Sequence, residues 1–204
     1  MQTQARSWHT WDQQIAVNAR FSSQIRACAA TFHRGADSLA LFGAEPLPAY
    51  GTHTWGICFD GRLDQSRSLG NTAFVGVSEQ KWSDPRRVNK RVNLSKNDGV
   101  YGLRDDSDDD ALRVNGNAKG WNDTGGFWAK AGGTRYKSFA LRDTVILTAF
   151  MDRRPRELMF EIRRKKGIER VGVVKGFGAT VYIAAGVCTI VAKFKKGIDI
   201  EIVK

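Results

Sequence analysis

Short runs of alternating hydrophobic and polar residues recur along most of the chain, and glycine or polar turn residues separate them. In segment 157–163, Leu158, Phe160 and Ile162 share one face, while charged residues share the other. A period of two residues is that of a β-strand with one buried side. The same criterion predicts strands at 25–32, 38–43, 52–59, 71–77, 98–104, 111–115, 143–151, 157–163, 168–174, 179–185, 188–194 and 198–203.

The near-even spacing of these runs predicts an all-β fold, an antiparallel two-sheet β-sandwich with long loops. A βαβ fold would require helical periods between the strands. The first residues differ, because apolar positions there are three or four apart: Trp8, Trp11, Ile15 and Phe21. This spacing predicts a short helix or an irregular apron over the sandwich edge. The predicted parts are an N-terminal apron at 1–24, a sandwich at 25–196 and a C-terminal tail strand at 197–204.

The composition is compatible with one large domain. The chain has 204 residues, of which 42% are hydrophobic and 10% aromatic. A domain of this size buries roughly 70% of the surface that its unfolded chain exposes, so it needs no metal or disulfide. Cys28, Cys58 and Cys188 lie in apolar or β-like runs without metal-binding spacing, which predicts buried free thiols in a reducing compartment. Neither a cofactor nor a metal is predicted.

The net charge and the N-terminal composition limit the possible partners and cellular locations of the protein only in part. The net charge of +11 would attract RNA, acidic proteins or anionic surfaces. The apolar stretch 179–192 is too short for a membrane helix and is interrupted by Gly186, so it predicts two core strands joined by a short turn. The first 36 residues contain four arginines and one acid, which resembles an organellar targeting segment. We therefore expect an intracellular protein, cytoplasmic or mitochondrial, without membrane insertion.

Several segments contain motifs in a fixed order. They are Pro-Leu-Pro at 46–48 with Tyr-Gly-Thr-His-Thr-Trp at 50–55, Phe-Val-Gly-Val at 74–77, Val-Tyr-Gly-Leu at 100–103, the segments 143–152 and 157–160, and the segments 171–177 and 181–183. In this order, over roughly residues 25–196, they resemble the SPRY domain, a concanavalin-like jelly-roll sandwich. The chain departs from the family pattern at Gly56, where an acid is usual, and at Ile183, where proline is common.

The resemblance implies a non-catalytic recognition module whose strand-linking loops bind a protein partner. Transferred to this chain, the implied partner-binding residues are Leu47, Pro48, Tyr50, Tyr101, Asp105, Asp106, Asp108, Asp109, Asp110 and Gly186. Tyr50 and Tyr101 could equally pack beneath these loops. The acidic run at 105–110 lacks the glycine and the terminal glutamate of a calcium loop, so we expect no metal there.

Basic residues concentrate in the loop 78–97, in the glycine-rich and aromatic segment 116–137, and in 153–170. If the hairpin tips point one way, they form a patch for an anionic partner such as RNA. The candidate residues are Lys81, Arg86, Arg87, Lys90, Arg91, Arg135, Arg153, Arg154, Arg164, Lys165 and Lys166.

The sequence gives little support for catalysis. His9, His33 and His53 have no acid or nucleophile at a recognisable spacing, and no Gly-x-Ser-x-Gly or phosphate-binding loop is present. We therefore expect no enzyme activity and no small-molecule substrate. The first hypothesis is a protein-interaction subunit of a larger assembly. The alternatives are a basic subunit of a ribonucleoprotein, such as an organellar ribosome, and a carbohydrate-binding sandwich.

Overall fold

The computed structural model describes residues 7–12, 23–26, 28–32, 38–63, 73–81, 98–104, 112–114, 117–119, 139–188 and 194–203. These residues form a 3-10 turn at Ser7–His9 and thirteen strands. The strands are β1 (Ser23–Arg26), β2 (Ala29–Phe32), β3 (Ser38–Phe42), β4 (Thr52–Leu63), β5 (Ala73–Ser78), β6 (Val100–Arg104), β7 (Leu112–Val114), β8 (Asn117–Lys119), β9 (Thr144–Phe150), β10 (Glu157–Arg164), β11 (Gly167–Lys175), β12 (Tyr182–Cys188) and β13 (Phe194–Val203).

The strands form two antiparallel sheets, so the predicted two-sheet sandwich is confirmed. Sheet A has the order β1-β2-β13-β4-β9-β10-β11, and sheet B has the order β3-β12-β5-β6-β7-β8. Many neighbours in these sheets are far apart in the sequence. Non-local pairing of this kind is typical of sandwiches, in which the chain crosses repeatedly between sheets.

The core lies between the two sheets and is built by alternation. Trp55, Ile57 and Phe59 of β4 are fully buried and face Val75 and Val77 from sheet B across the interior. Removing a side chain of this size from water contributes about 1.5–3 kcal/mol. Gly56 and Cys58, which alternate with them on β4, lie on the opposite face, so the strand follows the two-residue period of the sequence. The strand extends to Leu63, beyond the predicted end at residue 59.

The second face of sheet B is also buried. Phe74 and Val100 lie on it, opposite the core-facing positions, and expose 3% and 0% of their surface. Gly76 and Gly102 are direct cross-strand partners on this face. A Cβ on Gly102 would lie 2.3 Å from Phe74 Cζ, so the Phe74 ring occupies the space that a side chain would need. Close packing therefore explains why glycine occupies both positions, in Phe-Val-Gly-Val at 74–77 and in Val-Tyr-Gly-Leu at 100–103.

Two of the predicted strand boundaries are wrong. The expected strand at 25–32 is the antiparallel hairpin of β1 and β2, which turns at Cys28. The expected turn at Gly186 does not exist, because β12 continues through it to Cys188. Gly186 pairs with Ala40 on one side and with Phe74 on the other. A glycine in the middle of a strand looks the same in the sequence as a glycine that makes a turn, so the pattern did not distinguish the two.

The strand predicted at 198–203 is present but longer, and it lies inside sheet A rather than at its edge. β13 begins at Phe194, crosses the domain boundary predicted between residues 196 and 197, and pairs with both β2 and β4. Ile198, Ile200 and Ile202 point into the core.

The N-terminal apron packs on the sandwich, as predicted, as far as it is described. Trp8 and Trp11 are buried, and Trp11 forms an isolated bridge with Gly43. The backbone hydrogen bond from Asp12 N to Phe42 O, 2.8 Å long, holds this segment on β3. Ile15 and Phe21 lie outside the described residues.

The two cysteines whose side chains are described are free thiols, and both are only partly buried. Burial, together with the negative charges of Asp60 and Glu201, raises the pKa of Cys58 above its ordinary value. A thiol held in its protonated form is a poor nucleophile.

We expect Gly102→Ala to destabilise the fold, because the added Cβ would meet Phe74 Cζ and Val75 O, each at 2.3 Å. Overpacking of this kind costs about 1–3 kcal/mol, measured as the free energy of unfolding in urea. Gly43→Ala is the matched control, since its Cβ would approach nothing closer than 3.4 Å. A Gly102→Ala protein as stable as the control would contradict the tight contact.

Candidate functional site at one end of the sandwich

Three described loops meet at one end of the sandwich. In sheet A, Thr52, Phe150, Glu157 and Lys175 form one cross-strand row, so the loops 43–51, 151–156 and 176–181 all start from the same edge. In sheet B, Tyr182 pairs with Ser78 at this same end. We call this region the loop end.

Backbone hydrogen bonds join two of these loops directly. Met151 N donates to Gly51 O at 2.9 Å, and Gly51 N donates to Asp152 Oδ2 at 2.9 Å. Gly51 has a φ of +90°, a conformation that only glycine adopts without strain. Gly176 N donates to Arg156 O at 3.0 Å and adds the third loop. The loop end is therefore a connected structure built on the strand ends.

Glu79 directly follows β5 and connects the sheet B side of the loop end through hydrogen bonds to two neighbouring loops. Its Oε1 accepts the Gly178 N–H at 2.6 Å, and its own N–H donates to Gly99 O at 2.9 Å. The same carboxylate accepts a hydrogen bond from Tyr101. Burial, and then the Glu79 charge and hydrogen bond, raise the pKa of Tyr101 above its ordinary value, so the phenol stays protonated.

Tyr50 is the most exposed large hydrophobic residue of the described chain, with 74% of its surface accessible. Its carbonyl accepts a hydrogen bond from His53 Nε2 at 2.7 Å. His53 is buried, and its ring lies 5.4 Å from that of Trp8. The backbone of Tyr50 is thus fixed from below while the ring extends into solvent. We call Pro48, Ala49, Tyr50 and the exposed turn 152–155 the Tyr50 surface.

The structure separates the other predicted partner-binding residues. Leu47 exposes only 2% of its surface and belongs to the core, where its N–H donates to Val181 O at 2.8 Å. Tyr101 is also buried, with its ring 6.0 Å from that of Phe177. Gly186 is enclosed in sheet B. Of the predicted contact residues that are described, Pro48 and Tyr50 alone are exposed, so the others fit a packing role.

The acidic run was predicted to share a surface with Tyr50, and this stays a prediction. Asp105, Asp106, Asp108, Asp109 and Asp110 lie outside the described residues. Arg104, which precedes them, ends β6 at the edge opposite to the loop end, because Val100 starts it beside Ser78. Five residues of strand span about 13 Å. The chain therefore enters this run from the far end of the sandwich.

Lys81 was predicted to bind an anionic partner, but its charge is used inside the protein. Its ammonium donates to Asp12 Oδ2 at 2.8 Å and to Ala44 O, and it lies 4.6 Å from the centre of the Tyr182 ring. These contacts join the N-terminal segment to the loop end. Arg86, Arg87, Lys90, Arg91 and Arg135 lie outside the described residues.

The basic residues of the segment 153–170 would form a single patch only if the hairpin tips pointed one way, and they do not. Arg153 and Arg154 lie in the turn between β9 and β10, at the loop end, whereas Lys165 and Lys166 lie in the turn between β10 and β11, at the opposite end. Arg164 is paired with Asp143 at 2.7 Å and with Glu169 at 3.2 Å. The tips of these two hairpins point to opposite ends of the sandwich, because consecutive turns of an antiparallel meander lie at opposite ends of its strands.

Three residues that organise the loop end were not predicted from the sequence: Glu79, Asp152 and Asp12. Each acts through contacts to residues distant in the chain, for example the hydrogen bond between Gly178 and Glu79, which are 99 residues apart. The only local signal is that Glu79 and Asp152 each follow a strand end.

Within the described ranges, no group of three or more His, Cys, Asp or Glu side chains is arranged to hold a metal ion.

A helix long and apolar enough to cross a membrane is not found among the described residues.

Solved structures similar to this chain cover nearly its whole length. The SPRY domain of human HERC1 has a TM-score of 0.61 at 15% identity, over 95% of this chain and 97% of that domain. The PSpry domain of TRIM65 has a TM-score of 0.59 at 13% identity, over 96% and 91%. The legume lectin-like domain from Entamoeba histolytica has a TM-score of 0.54 at 10% identity, over 96% and 88%.

No protein-family model matches the sequence, and no curated protein matches it. At such low identities, similarity of structure establishes a shared fold and leaves function to the site. The order of the strands, the two-sheet architecture and these neighbours agree with the motifs in the sequence. The chain therefore has the β-sandwich fold of SPRY domains.

Proposed function

We propose that the protein is a non-catalytic binding module that engages a protein partner through the Tyr50 surface. The observation that carries this proposal is the exposed ring of Tyr50 on a backbone fixed by His53. A tyrosine offers a large apolar area and a hydroxyl while having few rotatable bonds, so it loses little entropy on binding.

The support beneath Tyr50 favours recognition over simple flexibility. Gly51 is bonded on both sides, by its own N–H to Asp152 and by its carbonyl to Met151. A surface held in one conformation before binding avoids part of the cost of ordering loops in the complex. Residues that dominate binding energy are commonly tyrosines and arginines, and Tyr50 is followed across the surface by Arg153 and Arg154.

The arginines of this surface are held by specific contacts. The Arg153 guanidinium lies 3.8 Å from the centre of the Phe150 ring and is paired with Glu157. Arg154 donates from Nη1 to Met151 O at 2.9 Å and to Arg153 O at 2.8 Å. Each guanidinium has five N–H donors, so both can offer further ones to carbonyls or carboxylates of a partner.

The comparisons agree with a binding module in general. SPRY domains share the fold, and lectin-like domains share it more distantly. A carbohydrate-binding groove would require several exposed coplanar aromatic rings, and among the side chains that are described only the aromatic ring of Tyr50 is exposed. The aromatic residues of the segment 120–138 lie outside the described ranges, so the carbohydrate-binding alternative stays a prediction. The RNA-binding alternative depends chiefly on basic residues outside the described ranges and stays a prediction.

We expect Tyr50→Ala to weaken partner binding tenfold or more, since truncating a central anchor costs about 1.4 kcal/mol or more. The measurement uses a random peptide library displayed on phage: clones enriched on the full chain are tested by titration against the variant. Ile168→Ala, which removes an exposed apolar side chain at the opposite end, is the matched control. Clones that bind Tyr50→Ala as tightly as the native protein, or a library that yields no clones, would count against the proposal.

The Glu157 carboxylate, which is hydrogen-bonded to Arg153 and Lys175, leads to a separate prediction about how stability depends on pH. Burial raises the pKa of Glu157, but hydrogen bonds from Lys175 and Arg153 outweigh it and hold the pKa below its ordinary value. A lowered pKa stabilises the fold above the unfolded-state pKa, and this contribution is lost as the pH falls through the folded-state pKa.

Glu157→Gln should therefore flatten the dependence of unfolding free energy on pH in the acid range, compared with the native protein. The matched control is Glu45→Gln, which removes an exposed carboxylate of the same loop end. Chemical denaturation at a series of pH values measures the effect. Parallel curves for the native protein and Glu157→Gln would show that the two hydrogen bonds do not stabilise the carboxylate.

A further inference from the structure

The outer face of sheet A differs from that of sheet B. Phe42 and Phe74, on the outer face of sheet B, are buried. On sheet A, Gly56 and Thr148 are buried, but other outward-facing residues of the central strands, such as Ile146, Met159 and Glu201, are half-buried or exposed. Sheet A therefore presents a broad face of mixed chemistry to the surroundings.

The strand register arranges this face in rows that run across the sheet. One row is Ala29, Glu201, Cys58, Thr144, Arg163 and Ile168, in strand order from β2 to β11. The adjacent row towards the loop end is Val203, Gly56, Ile146, Glu161 and Arg170. The row beyond on the other side contains Thr31, Asp199 and Asp60.

Charge is divided between the two halves of this face. Asp60, Asp199 and Glu201 are exposed on β4 and β13, and Arg163 and Arg170 are exposed on β10 and β11. Among the residues described, Asp199, Glu201 and Arg163 form no ion pair, while Asp60 pairs with Arg142 and Arg170 with Glu161. Glu201 and Arg163 are three strands apart, about 14 Å, which is too far for a direct contact.

One cross-strand pair on the acidic half is unfavourable in the isolated chain. Asp60 and Asp199 are direct partners, and like charges opposite each other destabilise a sheet. Asp60 is partly neutralised by Arg142 at 3.1 Å. A cationic group brought to this half from outside would remove the remaining repulsion.

We propose that this face pairs with the same face of a second copy of the chain, related by a two-fold axis parallel to the strands and passing between β4 and β9. Such an axis puts β13 of one copy over β10 of the other, and β2 over β11. In a two-fold interface each contact occurs twice, so a face with one acidic and one basic half is complementary to itself.

The row that contains Arg163 matches itself under this operation. Glu201 faces Arg163 of the partner subunit, Cys58 faces Thr144 of the partner subunit, and Ala29 faces Ile168 of the partner subunit. Ile168 exposes 58% of its surface in the isolated chain, more than any other described apolar residue except Tyr50. The dimer therefore buries the Ile168 side chain and pairs the Glu201 carboxylate with the Arg163 guanidinium of the partner subunit.

The next row provides an apolar centre. Ile146 faces Gly56 of the partner subunit, where a Cβ would lie 2.6 Å from Val203 Cγ2 and 2.8 Å from Thr144 Cγ2. These two methyl groups lie over Gly56 in place of a side chain, so Ile146 of the partner subunit meets a flat apolar surface. Val203 faces the stem of Glu161 of the partner subunit.

The available area is sufficient for a reversible dimer. Six strands about 4.8 Å apart, and five rows, give a face of roughly 600 Å² or more per copy. Stable interfaces bury about 800 Å² per partner, so a face of this size fits a weak to moderate dimer. Both loop ends point the same way in this arrangement, so the Tyr50 surfaces remain open.

The test is sedimentation equilibrium of the full chain from about 1 to about 100 µM, the range in which a weak dimer dissociates. The native protein should show a reversible monomer–dimer equilibrium. Arg163→Glu alone and Glu201→Arg alone should each raise the dimer dissociation constant at least tenfold, because each puts two like charges in contact twice. An equimolar mixture of the two variants should dimerise again, since every contact in the mixed dimer is then between opposite charges.

Arg154→Glu is the matched control, because it reverses an exposed arginine at the loop end and should leave the equilibrium unchanged. Circular dichroism of each variant checks that the fold is intact. A native protein that is monomeric throughout this range overturns the proposal. So does a dimer that is insensitive to both variants, or a mixture that fails to dimerise while both variants are folded.

Discussion

The structure depends on burying the inner face of sheet A against the inner face of sheet B. Each strand contributes every second residue, and these are large and apolar: Trp55 and Phe59 from β4, Phe160 from β10, Val75 from β5. Loop residues such as Leu47 and Phe177 add to this core. Exposed side chains of the same end of the sandwich, such as Tyr50, remain available for recognition.

The two surfaces proposed to bind partners lie on different parts of the sandwich that surrounds this core. The Tyr50 surface is formed where the strands end, and hydrogen bonds from Gly51 N to Asp152 and from Gly178 N to Glu79 fix the loops there. The outer face of sheet A is formed along the strands, by the residues that alternate with the core. One surface lies at an end and the other on a side, so both can be occupied in the same molecule.

The alternation predicted β10 most clearly, because its inner residues are apolar and its outer residues are mostly charged. β4 and β9 were located by their β-branched and aromatic residues, since outer residues such as Cys58 and Ile146 are not charged. Gly186 could not be assigned this way, since a glycine inside a strand looks the same in the sequence as one that makes a turn. Local motifs also placed Pro48 and Tyr50 correctly on a loop.

The distribution of the basic residues between the two ends of the sandwich could not be predicted from local patterns, because it depends on the direction of the strands. Arg153 and Lys165 are close in sequence yet lie at opposite ends of β10, and only the pairing of β9, β10 and β11 shows this. The contacts of Lys81 with Asp12 and of Glu79 with Gly178 join distant segments, so no window of the sequence contains them. Sequence reasoning located the elements of the site, and topology decided which of them share a surface.

The central position of β13 has a consequence for how the molecule assembles. Sheet A connects β1 and β2 to the remaining strands only through this last strand, which lies more than 130 residues after β4 in the chain. Until β13 is synthesised and inserted, β4 has an unpaired edge, and a newly made chain has a template for pairing with another. Such late closure of distant contacts is typical of slow folding.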